Sequence, residues 1–98
     1  MHSVDKVIGV GEASPEFLVV GYCDILASGI TTGAIKLQYK LPPSTELPAP
    51  AWTDFPDGSY TADFYKTVFL SEHGVIMRLL GVANNAGVYV RIARYLNK

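Results

Sequence analysis

The stretch Ala34-Ile35-Lys36-Leu37-Gln38-Tyr39-Lys40 decides the fold class. Ile35, Leu37 and Tyr39 fall on every second position, with Lys36, Gln38 and Lys40 between them. A period of two places one set on each side of an extended chain, which is the pattern of a half-buried strand. Val88-Tyr89-Val90-Arg91-Ile92-Ala93-Arg94-Tyr95 repeats it, with Val88, Val90 and Ile92 as the inner set and Tyr89, Arg91, Ala93 and Tyr95 as the outer set.

Working outward, further segments read as strands. Val4 to Val10 alternates loosely. Phe17-Leu18-Val19-Val20 is a short apolar run just after Pro15, and its β-branched valines favour a strand. Tyr22 to Ser28 follows, interrupted by Asp24. Tyr65 to Leu70 is rich in β formers, and Val75 to Leu80 is too short for a helix between Gly74 and Gly81. Turn residues punctuate these runs at Ser28–Gly33, Pro56-Asp57-Gly58, His73-Gly74 and Asn84–Gly87. Turn signals at intervals of about eight to twelve residues predict a β-sandwich or barrel. The predicted fold is a single all-β domain over residues 1–98, an antiparallel, jelly-roll-like sandwich of about eight strands, its successive strands joined as a meander. Leu41 to Pro50 holds four of the six prolines and reads as an extended loop at 41–50. It is either a connection crossing between sheets or an arm that packs on a neighbour.

Composition narrows the function classes. The chain has 98 residues, 49% of them apolar and only 17% charged, with a formal net charge of −1. An average domain is about 25% charged. Such a chain is too apolar to be disordered, and it has no basic excess to neutralise phosphates, which argues against nucleic acid as a partner. No apolar run reaches the roughly 18 residues of a membrane helix. The opening Met1-His2-Ser3-Val4-Asp5-Lys6 lacks the order of a secretory signal. One cysteine, Cys23, excludes an internal disulfide framework. A domain this small is marginally stable alone, and oligomerisation is the remaining support once disulfides and metals are set aside.

Candidate chemistry is sparse. Cys23 with His73 as base would make a nucleophile pair, but a cysteine in an apolar strand reads as a small hydrophobe. Asp54, Asp57 and Asp63, with Ser59, lie close enough in sequence to suggest calcium, although the spacing is not that of an EF-hand loop. Gly9-Val10-Gly11 resembles a phosphate loop but lacks the following lysine and helix, so it reads as a bulge or turn. No enzyme activity, cofactor or metal is expected. Exposed aromatics with arginine suit either a protein interface or a glycan, and the interface is the stronger reading. The candidate contact residues are Pro42, Pro43, Leu47, Pro48, Trp52, Phe55, Tyr89, Arg91 and Tyr95.

The run Ile25–Gly29, the strand Thr32–Tyr39, Trp52, the turn Gly58–Thr61, and the strands Gly74–Leu79 and Gly87–Ile92 together resemble small β-sandwich proteins encoded among the virion genes of tailed bacteriophages. The resemblance spans about residues 25–95 and is one of strands and turns, without a signature motif. It implies a capsid decoration (cement) protein on the virion surface, made in the host cytoplasm. Its partners would be the major capsid protein, other virion proteins and its own copies. The alternative it leaves open is a receptor- or glycan-binding module of a head fibre or tail.

Overall fold

A computed structural model describes residues 3–69 and 74–94. The described residues contain eight strands and no helix. They are β1 (Ser3–Ile8), β2 (Phe17–Val19), β3 (Tyr22–Ser28), β4 (Ala34–Lys40), β5 (Thr53–Tyr60), β6 (Phe64–Phe69), β7 (Val75–Val82) and β8 (Val88–Arg94). They form two four-stranded antiparallel sheets, a first in the order β1-β8-β3-β6 and a second in the order β2-β7-β4-β5.

The pairings nest. β4 pairs with β5, β3 with β6, β2 with β7 and β1 with β8. This is one long hairpin wrapped on itself, closed by the β3·β8 and β4·β7 contacts. That wrapping is a jelly roll, and it bears out the predicted sandwich.

The period-two reading holds along the central strands. Ile35 and Leu37 on β4 and Val88, Val90 and Ile92 on β8 are completely buried. Cys23, Ile25 and Ala27 on β3 and Val75, Met77 and Leu79 on β7 complete the middle of the core. Each Leu or Ile so enclosed contributes about 1.5–3 kcal/mol of burial.

The connections differ from the predicted meander. Of the seven joins between successive strands, only β4 to β5 stays within one sheet. Ser28–Gly33 and Asn84–Gly87, expected as turns within that meander, each carry the chain from one sheet to the other. Turn residues reverse the chain equally well in both cases, and the inner face of each strand must reach the shared core. Likewise the segment after Leu41 does not cross between sheets, because β4 and β5 are neighbours. Pro56-Asp57-Gly58, expected as a turn, lies inside β5. There the β4·β5 register runs Lys36↔Ser59 and then Gln38↔Asp54, so β5 bulges by three extra residues. Asp57 takes a positive φ of 56°, and Gly58 is buried where an added Cβ would stand 2.9 Å from the Phe55 carbonyl oxygen. A proline is tolerated here because β5 is an edge.

Each of the four sheet edges carries a device that discourages further strand pairing. β5 has its proline and bulge, and β2 has only three residues. Beyond β2, Ala13 bridges Leu80, Ser14 N–H donates to the Leu79 carbonyl (2.8 Å), and Leu79 N–H donates to the Ser14 hydroxyl oxygen (2.9 Å). On the edges of the first sheet, Lys6 and Lys66 occupy core-facing positions, opposite the buried Val90 and Ile25. A lysine there runs its stem along the sandwich mouth and keeps its ammonium wet.

Candidate functional site

The sequence-predicted contact residues divide between opposite sides of the sandwich. Tyr89 and Arg91 stand on the outer face of the first sheet. Pro42, Pro43, Leu47 and Pro48 belong to the exposed β4–β5 connection. Trp52 lies on the outer side of the second sheet, with Arg78 and Lys40 over its ring at 4.2 Å and 4.8 Å. Phe55 turns inward, packing edge-on against Tyr39 at the margin of the core. Tyr95 and His73 lie outside the described residues.

The outer face of the first sheet follows from the alternation of its strands. Asp5 and Val7 of β1, Tyr89, Arg91 and Ala93 of β8, Asp24 and Leu26 of β3, and Tyr65, Thr67 and Phe69 of β6 all point outward. Register places Leu26 directly between Arg91 and Tyr65, and Asp24 between Ala93 and Thr67. Two polar lips result. On one, the Asp24 carboxylate accepts hydrogen bonds from the Thr67 hydroxyl (2.5 Å) and the Tyr65 hydroxyl (3.2 Å). On the other, Tyr89 donates to Asp5 at 2.9 Å, and Arg91 stands opposite Asp5 in the β1·β8 register. The Asp5 bond holds the Tyr89 proton in place and raises its pKa above the ordinary phenol value. Between the lips lies a shallow depression of about 100 Å³, floored by Leu26 and Ala93.

The β4–β5 connection is a second exposed feature. Leu41 to Ala49 are exposed throughout, including Leu41 at 51% and Leu47 at 42%. A turn stiffens it: Ser44 N–H donates to the Leu47 carbonyl (2.9 Å), and Leu47 N–H donates to the Ser44 hydroxyl (3.1 Å). Between the connection and the ends of β4 and β5 runs a groove of about 410 Å³ lined by Tyr39, Leu41, Leu47 and Pro50. The adjoining sheet face is tied by Lys36 to Asp54 (3.0 Å), Gln38 to Asp54 (2.8 Å) and Arg78 to Gln38 (2.9 Å).

Of the candidate calcium residues, Asp54, Asp57 and Ser59 line one depression along β5 together with Lys36, and Asp63 is not among its lining residues. Asp54 serves Lys36 and Gln38, while Asp63 is at the loop end of the sandwich. Among the described residues no three metal-ligating side chains come together. Asp63 accepts hydrogen bonds from the backbone N–H groups of Ile30 (2.8 Å) and Gly29 (2.9 Å), and these hold its carboxyl below the ordinary range, Ile30 most strongly. A carboxylate with a lowered folded-state pKa contributes its full stabilisation at neutral pH and loses it as pH falls through the lowered value. Asp63→Asn is therefore expected to lower the melting temperature at pH 7, and the difference from wild type should shrink as the pH is lowered through and below the ordinary carboxylate range. Melting curves across that range check it.

Cys23 is enclosed. Its side chain is fully buried, its thiol sits 3.6 Å from the Met77 sulfur, and burial, with a smaller push from Asp24, raises its pKa to about 12. A thiol kept protonated is a poor nucleophile. A thiol reagent at pH 8 is expected to leave the folded protein unmodified and to label one thiol per chain once denaturant is added. Gly9–Gly11 forms a turn, closed by Glu12 N–H to the Gly9 carbonyl (3.2 Å) and Gly9 N–H to the Glu12 carboxylate (2.6 Å).

Sequence reasoning missed Asp24, Leu26, Tyr65 and Ala93 as members of a site. The outward alternation of Tyr22–Ser28 is visible in the chain, but the neighbours that complete the depression come from β6 and β8. Comparisons with family models, with curated proteins and with solved structures find no match.

Proposed function

We propose that this chain is a structural protein of a bacteriophage virion, a capsid decoration protein that stabilises the shell by bridging capsid subunits. The observation that supports it is the β4–β5 arm: nine consecutive exposed residues, Leu41 to Ala49, with two exposed leucines beside an apolar groove, on a domain whose sheet edges are guarded. A protein that guards its edges must recruit partners through faces or arms. The prolines restrict the arm, so less entropy is lost when it docks.

The mechanism is area. An interface on the order of 1,000 Å² with each of two capsid subunits ties them together. Binding only the assembled shell stabilises that shell by mass action. Many symmetry-related copies, touching one another as well, add avidity.

The test is co-sedimentation with expanded shells. The wild-type protein is expected to pellet stoichiometrically and to raise the temperature at which shells rupture. The double variant Leu41→Asp, Leu47→Asp should stay in the supernatant with an unchanged melting temperature, because both residues are exposed. Equal pelleting of the variant, or no effect of the protein on rupture, would falsify the proposal.

A further inference from the structure

We infer that the depression on the outer face of the first sheet is a binding subsite for a neutral pyranose ring. It lies on the opposite side of the sandwich from Trp52 and rests on different residues from the docking arm.

The shape of the chemistry carries the inference. A pyranose is a flat ring with an apolar C–H face and a rim of hydroxyls. The depression offers the complement: an apolar floor of Leu26 and Ala93 between a carboxylate lip and a guanidinium lip. Asp24 accepts and cannot donate, whereas Arg91 donates and cannot accept. A vicinal diol has both capacities and so can be bound at either lip. Tyr65, 68% exposed, stands at the side of the floor as a wall against which ring C–H groups pack.

The carboxylate lip is set before any ligand arrives. Thr67 and Tyr65 orient the Asp24 carboxylate, and their two bonds leave acceptor sites on it unused. Arg91 stands between Asp5 and Leu26 in the sheet register and offers several N–H donors. Pre-orientation removes part of the ordering cost that weakens surface binding. Ala93 keeps the space open, since a larger side chain there would fill it.

Charge selects the ligand. Among the described residues the face carries two carboxylates, Asp5 and Asp24, against one guanidinium, Arg91, so an acidic sugar meets net repulsion. Size sets the strength. Ligand pockets run to about 300–1,000 Å³, so a depression of about 100 Å³ grips one edge of a single ring. Dissociation constants on the order of millimolar follow, and useful adhesion would come from many copies presented together.

The experiment is an NMR titration of the full chain with methyl glucoside, methyl mannoside and methyl galactoside, with glucuronate and glycerol as comparisons. At least one neutral pyranoside is expected to shift the resonances of Leu26, Tyr65 and Ala93 saturably. Glucuronate should bind at least tenfold more weakly, and glycerol should produce no saturable shift. Asp24→Asn and Ala93→Leu, both at outward positions, should each weaken binding at least tenfold while leaving the melting temperature within a few degrees of wild type. The inference is overturned if no pyranoside shifts these residues at concentrations tens of times above the expected constant. Shifts that persist unchanged in both variants overturn it too. So does broadening of the same residues with protein concentration alone, which would mark the face as a contact between copies. The arm variants of the co-sedimentation test leave this face intact, so either reading can fail without the other.

Discussion

Gly33→Val is expected to lower stability by about 4 kcal/mol, combining left-handed backbone strain of about 1–3 kcal/mol with overpacking of about 1–3 kcal/mol. Gly33 ends the β3–β4 crossing with a φ of 67°. A Cβ added there would stand 2.2 Å from the Ala83 carbonyl oxygen and 2.6 Å from that of Val82. Both obstacles are backbone at the end of β7, the central neighbour of β4, so relief requires the β3–β4 and β7–β8 crossings to part. For a domain near 100 residues, each kcal/mol moves the melting temperature by about 4–8 °C, so a fall of about 15–30 °C is expected in a thermal melt followed by far-UV circular dichroism. Gly11→Ala separates the two causes. Gly11 also has a positive φ, 74°, but nothing lies within 4 Å of an added Cβ. Its cost should be only the left-handed penalty, about 1–2 kcal/mol. Equal losses for Gly11→Ala and Gly33→Val would show that crowding between the crossings contributes nothing.

Asn84→Ala is expected to cost about 3 kcal/mol, because it strands several backbone groups at once. Asn84 is 2% exposed and joins two loops. Its side-chain oxygen accepts from Gly11 N–H at 2.9 Å, and its amide donates to the carbonyls of Gly9 (3.2 Å) and Asn85 (2.8 Å). The neighbouring Asn85 extends the clamp, accepting from Thr31 N–H (2.8 Å) and Thr32 N–H (3.2 Å) and donating to the Gly29 carbonyl (2.9 Å). Two asparagines thus hold the β1–β2 and β3–β4 crossings to the β7–β8 crossing. Gly81 makes room for the first: a Cβ there would stand 2.2 Å from the Asn84 side-chain oxygen. Gly81→Ala should therefore be nearly as damaging as Asn84→Ala. The double variant should cost less than the sum by at least about 1 kcal/mol, since residues in contact are not additive. Urea denaturation of the four proteins measures this, and strict additivity would mean that Gly81 and Asn84 act separately.

Much of the fold was legible in the chain. Lys36, Gln38 and Lys40 alternate with Ile35, Leu37 and Tyr39 because water on one side and core on the other impose a period of two, whatever strand lies alongside. The same alternation on β8 placed Tyr89 and Arg91 outward. Edge strands were harder to read. β5 carries Pro56-Asp57-Gly58, which in sequence is a turn, and only its place beside β4 makes it a bulge. Lys66 within Phe64–Phe69 breaks the apolar set at a core-facing position, which an edge tolerates and a central strand would not.

The candidate site was legible in half. Outward direction for Tyr89 and Arg91 came from periodicity, and the extended loop at 41–50 from its four prolines. Their separation onto opposite sides of the sandwich did not, nor did the inward turn of Phe55.

By itself the sequence determined that the chain is a sandwich of short strands, which residues of β4 and β8 turn toward the core, and most of the places where the chain reverses. It could do so because those properties depend on each residue and its immediate neighbours. Only the tertiary structure decided which strands lie side by side, and hence that Asp24, Leu26, Tyr65, Arg91 and Ala93 surround one depression. Backbone hydrogen bonding is alike for every possible partner strand. Choice among partners rests on which sheet each crossing delivers the chain to, and that is settled by packing between residues such as Gly33 and Ala83, Gly11 and Asn84, which are far apart in the sequence.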